Sequence, residues 1–524
     1  MSTSTVSLIE ALQSPAIWPD RPEQVRCVET HISWVLLTRD FAWKIKKPVT
    51  FNFLDFSTLE QRKHFCEEEL RLNRRTAPDL YLGVVPICGD PSAPVIEGAG
   101  EPFEYAVRMR RFDDSRLLSN LVAEGQLRES LVDALAERIA RFHASIPVAT
   151  SDSPFGRAAD IRRDAIDNFA TIEQLAVDDA EHAAEIRHLR EWTTTEADRL
   201  ADVFEQRRED GFVRECHGDL HLGNIVELDD GPRLFDCVEF NAGFRWSDVI
   251  SEIAFLVMDL EEHGEEQLAR RLLNRYLERT GDYAGLNVLR FYLVYRAMVR
   301  AKIDMIRLSD DSQPETLRRS LQREFGTYLS VADHDAERSP PALIITHGVS
   351  GSGKSVFAEQ IVENSAAIRI RSDIERKRLF GLDETDRVSG ETATELYSPA
   401  AHTQTYDRLA ELAETVISAG FPAVVDATFL EPAQRSQFRE LADRIQIPFL
   451  IVACSAPEDV LVERVTQREV ADRDASDAGE TVLRQQLQKD TGIEFEPTGQ
   501  LVTVDTSDEV SSAEGLRHVL EFLT

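Results

Sequence analysis

The chain has 524 residues and a hydrophobic share of 42%, which allows buried cores but exceeds one of them at roughly 150 residues per domain. Its 93 acidic and 59 basic residues give a formal charge of −34, which repels a polyanion and argues against long nucleic acids as partners. The same charge reads as a solubility device or, more sharply, as attraction for a cationic substrate. No apolar run approaches the roughly 20 residues that span a bilayer. The N-terminal MSTSTVSLIEALQSPAIWPD has neither a secretory nor a transit pattern, and the six cysteines lack CxxC or CxxH spacing. A cytoplasmic protein with reduced thiols, no membrane segment and no zinc centre is expected.

In chain order, VRCVETH, WVLLT, FAWKIKK and YAVRMRRF read as strands from their β-branched and aromatic content. The helix STLEQRKHFCEEELRLNRR lies before the last of them. After Phe112 the pattern turns helical through SRLLSNLVAEG, ESLVDALAERIARFHASI and the charged stretch 160–208. The segments SDVISEIAFLVMDLEEHG and NVLRFYLVYRAMVRAKIDMIRL follow as denser, buried helices. The expected first domain is 1–331, strand-rich and then helical, and ADHDAERSPP at 332–341 reads as a linker. The remaining 342–524 alternates apolar runs with helical stretches, which predicts a parallel sheet flanked by helices with LIITH, AVVDA and FLIVACS as central strands. There is no internal repeat.

Two phosphate-handling patterns lie on these domains. In HGDLHLGN, Asp219 stands five residues before Asn224, the spacing at which an Asp takes a substrate hydroxyl's proton and an Asn holds Mg²⁺. Asp230-Gly231 then signals a hairpin that returns Asp236 beside Asn224 as a second metal ligand. Upstream, Lys44 is the candidate grip on nucleotide phosphates, with Glu69 as its orienting partner and Glu68 as the rival. Lys46 and Lys47 are read as solvated. His217 and His221, four residues apart, are not read as metal ligands: His217 is expected to pack under the loop and His221 to face substrate or solvent.

Over residues 25 to 330 the chain resembles the aminoglycoside phosphotransferase family of protein-kinase-like enzymes, most closely in HGDLHLGNIVELDDGPRLFDCVEFN. The resemblance implies a bilobal kinase-like fold, ATP, Mg²⁺ and phosphorylation of a small-molecule hydroxyl. It also makes an acid such as Asp248, in RWSDVISEIAFLVMDL, the brace of the catalytic loop. A departure is HISWVLLTRD, which has no glycines where a GxGxxG clamp would cover the nucleotide.

The second pattern, GVSGSGKS at 348–355, satisfies GxxxxGK[ST] between a strand and a helix. Gly348, Gly351 and Gly353, with Ser350 and Ser352 between them, let backbone N–H groups approach phosphate. Lys354 pairs with the outer phosphates and Ser355 is the expected Mg²⁺ ligand. The following RSDIERKRLFG resembles the SDxxR pattern of small P-loop kinases, among them polynucleotide kinases, gluconate kinases and zeta-type toxins. That resemblance implies Asp373 as base toward the acceptor hydroxyl and Arg376 as a substrate or phosphate contact. The other reading of Ser372 or Asp373 is a helix N-cap, and both can hold. Lys377 and Arg378 are read as facing solvent. Asp426, ending VVDAT, either helps hold Mg²⁺ or caps a turn. Arg464 and Arg468 share a helix face either as phosphate-neutralising lid arginines, Arg468 foremost, or as a solvated face.

The expectation is thus a bifunctional MgATP-dependent kinase acting on small hydroxylated acceptors, its domains working consecutively or one regulating the other. The alternatives are a 5′-hydroxyl polynucleotide kinase with an accessory N-terminal domain, and a non-catalytic ATP-binding switch.

Overall fold

The computed structural model describes residues 3–51, 54–176, 181–310, 312–384, 386, 388, 394–471, 479–490, 492–493, 496 and 498–524. It divides into two compact units, Met1–Asp167 with Thr194–Asp259, and Asn168–Thr193 with Leu260–Thr524.

The first unit carries a six-stranded antiparallel sheet. Its spatial order is Arg26–Glu29, Ser33–Leu37, Phe41–Lys46, Pro102–Arg110, Tyr81–Asp90 and Ala93–Ile96. The first four match the expected strands. The last two lie in YLGVVPICGD and APVI, where Gly and Pro interrupt the alternation that marks a strand. Trp18, Trp34, Trp43, Ile45 and Ile87 fill one face of this sheet. The helix Leu59–Asn73 crosses from the third strand to the fifth. It starts at a capping box in which Thr58 accepts from the Gln61 N–H and the Gln61 side chain accepts from the Thr58 N–H. Beyond the sheet come the helix Glu129–Ser145, the short strand Val213–Glu215, the hairpin Ile225–Leu228 with Gly231–Leu234, and the helix Val249–Glu262.

The second unit is built on a five-stranded, wholly parallel sheet ordered Ile368–Arg371, Ala423–Asp426, Leu343–His347, Phe449–Ser455 and Leu501–Asp505. Leu343–His347 is buried at every position. That is why it reads as an unbroken apolar run: helices cover both faces of a parallel sheet. The three expected central strands are the three middle ones. Leu501–Asp505, with its exposed and half-buried residues, is an edge strand that the apolar pattern did not mark.

Three helices upstream of the expected linker, Glu266–Thr280, Leu286–Leu308 and Glu315–Ala336, belong to this second compact unit. Glu278 pairs with Arg369 at 2.7 Å with both side chains buried, and the Asn274 side chain accepts the Arg369 N–H at 2.8 Å. Arg290 donates to the Gly420 carbonyl at 3.0 Å. The helix Glu315–Ala336 also runs through the first five residues of the segment read as a linker, so the non-helical connection is 337–342. Asp335 is 6% exposed there, although its neighbours are charged and small.

The six cysteines are unpaired, five of them buried. Among the described residues, no helix is long and apolar enough to cross a membrane.

Candidate active sites

In the first unit, Lys44 lies in the third strand with its Nζ 2.9 Å from Glu69 Oε1 and in an ion pair with Asp236. Burial acts against the charge on Lys44, but Asp236 and Glu69 outweigh it and hold its pKa well above the usual value. Burial likewise opposes the Glu69 charge, yet Lys44 and Lys46 bring its pKa down to about 2. Glu68 points elsewhere, to Arg71 at 2.8 Å. Of the two adjacent acids, Glu69 is therefore the partner.

The hairpin brings Asp236 back as the sequence implied. Leu228 pairs with Gly231, so the two turn residues are Asp229 and Asp230, with Gly231 opening the return strand at φ 113. This shifts the expected Asp-Gly turn by one residue. The Phe235 N–H then donates to the Asn224 carbonyl at 3.0 Å, fixing Asp236 beside the loop. Asp236 itself sits at φ 64, a strained conformation for a non-glycine residue, and its N–H donates to the Tyr81 hydroxyl at 3.0 Å. The Asn73 side chain accepts from the next N–H, Cys237, at 2.9 Å. The Glu69 helix thus also positions this loop.

Asn224 Nδ2 donates to the Asp219 carbonyl at 2.8 Å and to its Oδ2 at 3.1 Å. The Asn224 amide nitrogen is engaged by Asp219, which leaves its oxygen to face a cation together with the Asp236 carboxylate. Hard oxygen donors of this kind suit Mg²⁺. The Asp219 and Asp236 side chains are each 42% exposed, so both reach solvent.

The brace of this loop is not Asp248. That residue makes a buried bidentate pair with Arg207, at 2.6 and 2.9 Å, and accepts the Ile250 N–H. The brace is Glu252, whose Oε1 accepts the N–H groups of His217 at 2.7 Å and Gly218 at 2.8 Å, while His143 Nε2 donates to Oε2 at 2.8 Å. Asp259 Oδ2 holds the Leu222 N–H at 2.8 Å. Glu252 and Asp259, seven residues apart on one helix face, are buried acids in the otherwise apolar VISEIAFLVMDL. That anomaly is the signal by which sequence reasoning could have found them. His217 is buried and donates from Nε2 to the Phe235 carbonyl at 2.8 Å; burial lowers its pKa. His221 Nδ1 accepts the Gly223 N–H at 3.1 Å. These engagements tie the two histidines to the loop and do not present them together to an ion.

Lys46 and Lys47 are not solvated. Lys46 is fully buried, with Nζ 2.7 Å from Glu69 Oε2 and paired with Glu239. Lys47 pairs with Glu29 at 2.6 Å.

In the second unit, the loop 348–353 leads from Leu343–His347 into the helix Lys354–Glu363. Gly348 has φ 139, and a Cβ there would meet the Cys454 carbonyl at 2.3 Å; Gly353 has φ 82, and its Cβ would meet Thr506 Oγ1 at 2.6 Å. Only glycine fits either position. Lys354 Nζ donates to the Val349 carbonyl at 2.8 Å and lies 3.5 Å from Ser352 Oγ. The Ser350 N–H, one of the donors a phosphate would use, donates to Gln486 Oε1 at 2.7 Å. Ser355 is on the first turn of the helix, where its carbonyl accepts from Arg369 at 3.0 Å.

Asp426 ends the strand next to the P-loop strand, in register one residue past the Ile345–Val425 pair, and is 5% exposed. Its position at the carboxyl edge of a parallel sheet is where such folds bind ligands. Asp373 is the second residue of the helix Ser372–Leu379, and Arg376 Nη1 lies 3.3 Å from its Oδ1. Arg376 also stacks over Tyr397, its guanidinium 5.2 Å from the ring centroid. The N-cap of that helix is Arg371 and makes no side-chain cap bond, so neither Ser372 nor Asp373 caps it. Lys377 does not face solvent and Arg378 does so only in part: Lys377 is 2% exposed and donates to the Glu384 carbonyl, and Arg378, its side chain 30% exposed, engages Glu375 and the Glu278 carbonyl.

Arg464 is a staple rather than a lid cation. It donates to Thr506 Oγ1 at 2.8 Å, the Thr506 carbonyl at 2.9 Å and the Gly351 carbonyl at 3.2 Å. The side chain of Arg468 lies outside the described residues. Beside the loop is a cavity of about 750 Å³ lined by Gly351, Gly353, Arg464, Gln467, Thr506 and Glu509, among others. Nothing in the sequence marked it, because its far wall comes from the C-terminal helix Glu509–Leu523.

Comparison with known proteins finds one match in each part of the chain, and the first match runs past Asp259 into residues that the contacts group with the second unit. Residues 66–292 match the phosphotransferase enzyme family, and residues 343–491 match an AAA domain. An uncharacterized protein of Mycobacterium tuberculosis is 32% identical over 472 residues, covering 90% of this chain and 92% of its own. Among solved structures, a gluconokinase from Sinorhizobium meliloti is 23% identical, with TM-score 0.25, over 35% of this chain and 96% of its own. Amicoumacin kinase, in complex with AMP-PNP, Ca²⁺ and Ami, is 14% identical, with TM-score 0.39, over 63% of this chain and 94% of its own. The chain belongs to the same family as the M. tuberculosis protein, and joins a phosphotransferase-family domain to a P-loop kinase domain.

Proposed function

We propose that the chain is a bifunctional ATP-dependent phosphotransferase, each domain transferring the γ-phosphoryl of MgATP to a hydroxyl of a small molecule. The observation that carries this reading is the convergence of Lys44, Glu69, Asp219, Asn224 and Asp236, from four separated segments, into one partly open cluster. In that cluster Asp219, held by Asn224, accepts the acceptor hydroxyl's proton as the oxygen attacks in line. Lys44, oriented by Glu69, exchanges its contact with Asp236 for nucleotide phosphate. Mg²⁺, held by Asn224 and Asp236, supplies neutralisation of phosphate charge when bound.

In the P-loop domain the backbone N–H groups of the loop and Lys354 hold the phosphates. Asp373 is the base and Arg376 the acceptor contact, with Ser355 and Asp426 as the oxygen donors for Mg²⁺. The adjoining cavity is of a size for a nucleoside.

The test is an ATP-consumption screen over hydroxylated metabolite pools with the parent, Asp219→Ala and Lys354→Ala proteins in parallel. Acceptors lost with one substitution and kept with the other assign a reaction to each domain. Consumption unchanged in both variants overturns the reading.

A further inference from the structure

The Lys44 cluster contains a second lysine that the proposed transfer does not use. Lys44 and Lys46 are two residues apart in one strand, so their side chains leave the same face of the sheet. Together with three acids they form one chain of ion pairs: Asp236 to Lys44, Lys44 to Glu69, Glu69 to Lys46, and Lys46 to Glu239. Its two ends differ. Asp236 is 42% exposed, whereas Lys46 is fully enclosed and Glu239 is 4% exposed. The Lys46 Nζ also lies 5.0 Å from the Phe56 ring centroid. Lys46 cannot reach a nucleotide from there. Its two carboxylate partners stand on the Glu69 helix and on the loop three residues past Asp236.

We propose that Lys46 is a positioning residue for the first site: it neutralises Glu69 and Glu239 from behind, so that Lys44 is released to nucleotide phosphate. The electrostatics require such a group. When Lys44 turns from Asp236 to phosphate, two buried carboxylates stay behind it, and a buried acid without a counter-charge draws in the nearest cation. Without Lys46 that cation is Lys44, whose own charge Glu239 already supports. The enclosed lysine holds both acids and leaves Lys44 to be shared between Glu69 and the ligand. The inference rests on the first site binding nucleotide.

The test is isothermal titration of the full chain with AMP-PNP and Mg²⁺ in a Lys354→Ala background, so that only the first site is read. Lys46→Met is expected to weaken binding by roughly 10-fold or more, and Lys46→Met/Glu239→Gln to return to within about 3-fold of the background, since no unpaired charge is left. Should Lys46→Met not fold, Glu239→Gln alone carries the test. It leaves Lys46 on Glu69 and should bind within about 3-fold of the background. Undiminished binding by folded Lys46→Met, a double variant as weak as the single one, or a roughly 10-fold loss in Glu239→Gln each overturns the proposal. Absence of binding by the Lys354→Ala background itself overturns the nucleotide reading of the first site, and this proposal with it.

Discussion

The two candidate sites hold their cations in opposite ways. In the first, Lys44 is fixed by carboxylates of a distant helix and loop, Glu69 and Asp236, before any ligand arrives. In the second, Lys354 rests on its own loop, at the Val349 carbonyl, and the Ser350 N–H is taken by a neutral glutamine. The first is assembled through tertiary ion pairs and depends on the whole unit. The second is a local backbone cradle whose groups are provisionally occupied. Damage to a remote support should therefore be felt at the first site, and damage to one local residue at the second.

The largest effect falls on the chemistry. Asp219→Ala should lower acceptor phosphorylation at the first site by about 10²- to 10⁴-fold while leaving nucleotide affinity there nearly unchanged. Lys354→Ala should lose binding and turnover together at the second. Steady-state rates paired with titration separate the two patterns. A loss of nucleotide affinity in Asp219→Ala equal to its loss of rate would break the contrast.

Next is the support of the loop that carries Asp219 and Asn224. Glu252→Ala strips a buried partner from His143 and from two backbone N–H groups. It should cost about 3 kcal/mol, read by denaturant unfolding. At temperatures where the variant is folded, the first site should fail and the second persist.

The units should also answer pH with opposite slopes. Glu69 is held down to about 2, so its stabilising share is full above the ordinary carboxylate range near 4.5 and is lost as pH falls through 2. Asp335 is pushed up to about 7 by burial, which Arg290 only partly offsets. Its share is full below about 4 and is lost as pH rises through 7. Asp335→Asn should flatten the decline in stability between pH 5 and 8, a change of about 1 to 3 kcal/mol followed by melting at each pH. A parent whose stability rises steadily over that window contradicts the assignment.

The smallest effect is at the occupied cradle. Gln486→Ala removes the group that competes for the Ser350 N–H, and should tighten nucleotide binding at the second site by up to about 5-fold. Weaker binding would make Gln486 part of the site and not its stand-in.

The same contrast explains what was legible in the sequence. The P-loop could be read whole, because a run of eight residues fixes both its backbone and its context. Asp219, Asn224 and Asp236 were legible from spacing and a turn signal, and Lys44 from its strand, with Glu69 as its partner and Glu68 as the rival. What escaped was the environment of charge. Lys46 and Lys377 look like surface residues by type, and only partners such as Glu239 and the Glu384 carbonyl make their burial tolerable. Asp248 and Glu252 both stand at the start of one helix, and their division of labour depends on where Arg207 and the His217 N–H lie. The helix Glu266–Thr280 falls inside the first domain as read from sequence, and nothing local announces that its Glu278 meets Arg369 across 91 residues.

The central claim is that one chain carries two nucleotide sites built in these two ways. Titration of the full chain with AMP-PNP and Mg²⁺ tests it most directly. The account predicts two molecules bound per parent chain, one in Lys44→Ala, one in Lys354→Ala and none in the double variant. A stoichiometry of one in the parent, or loss of both sites on either single substitution, would contradict it.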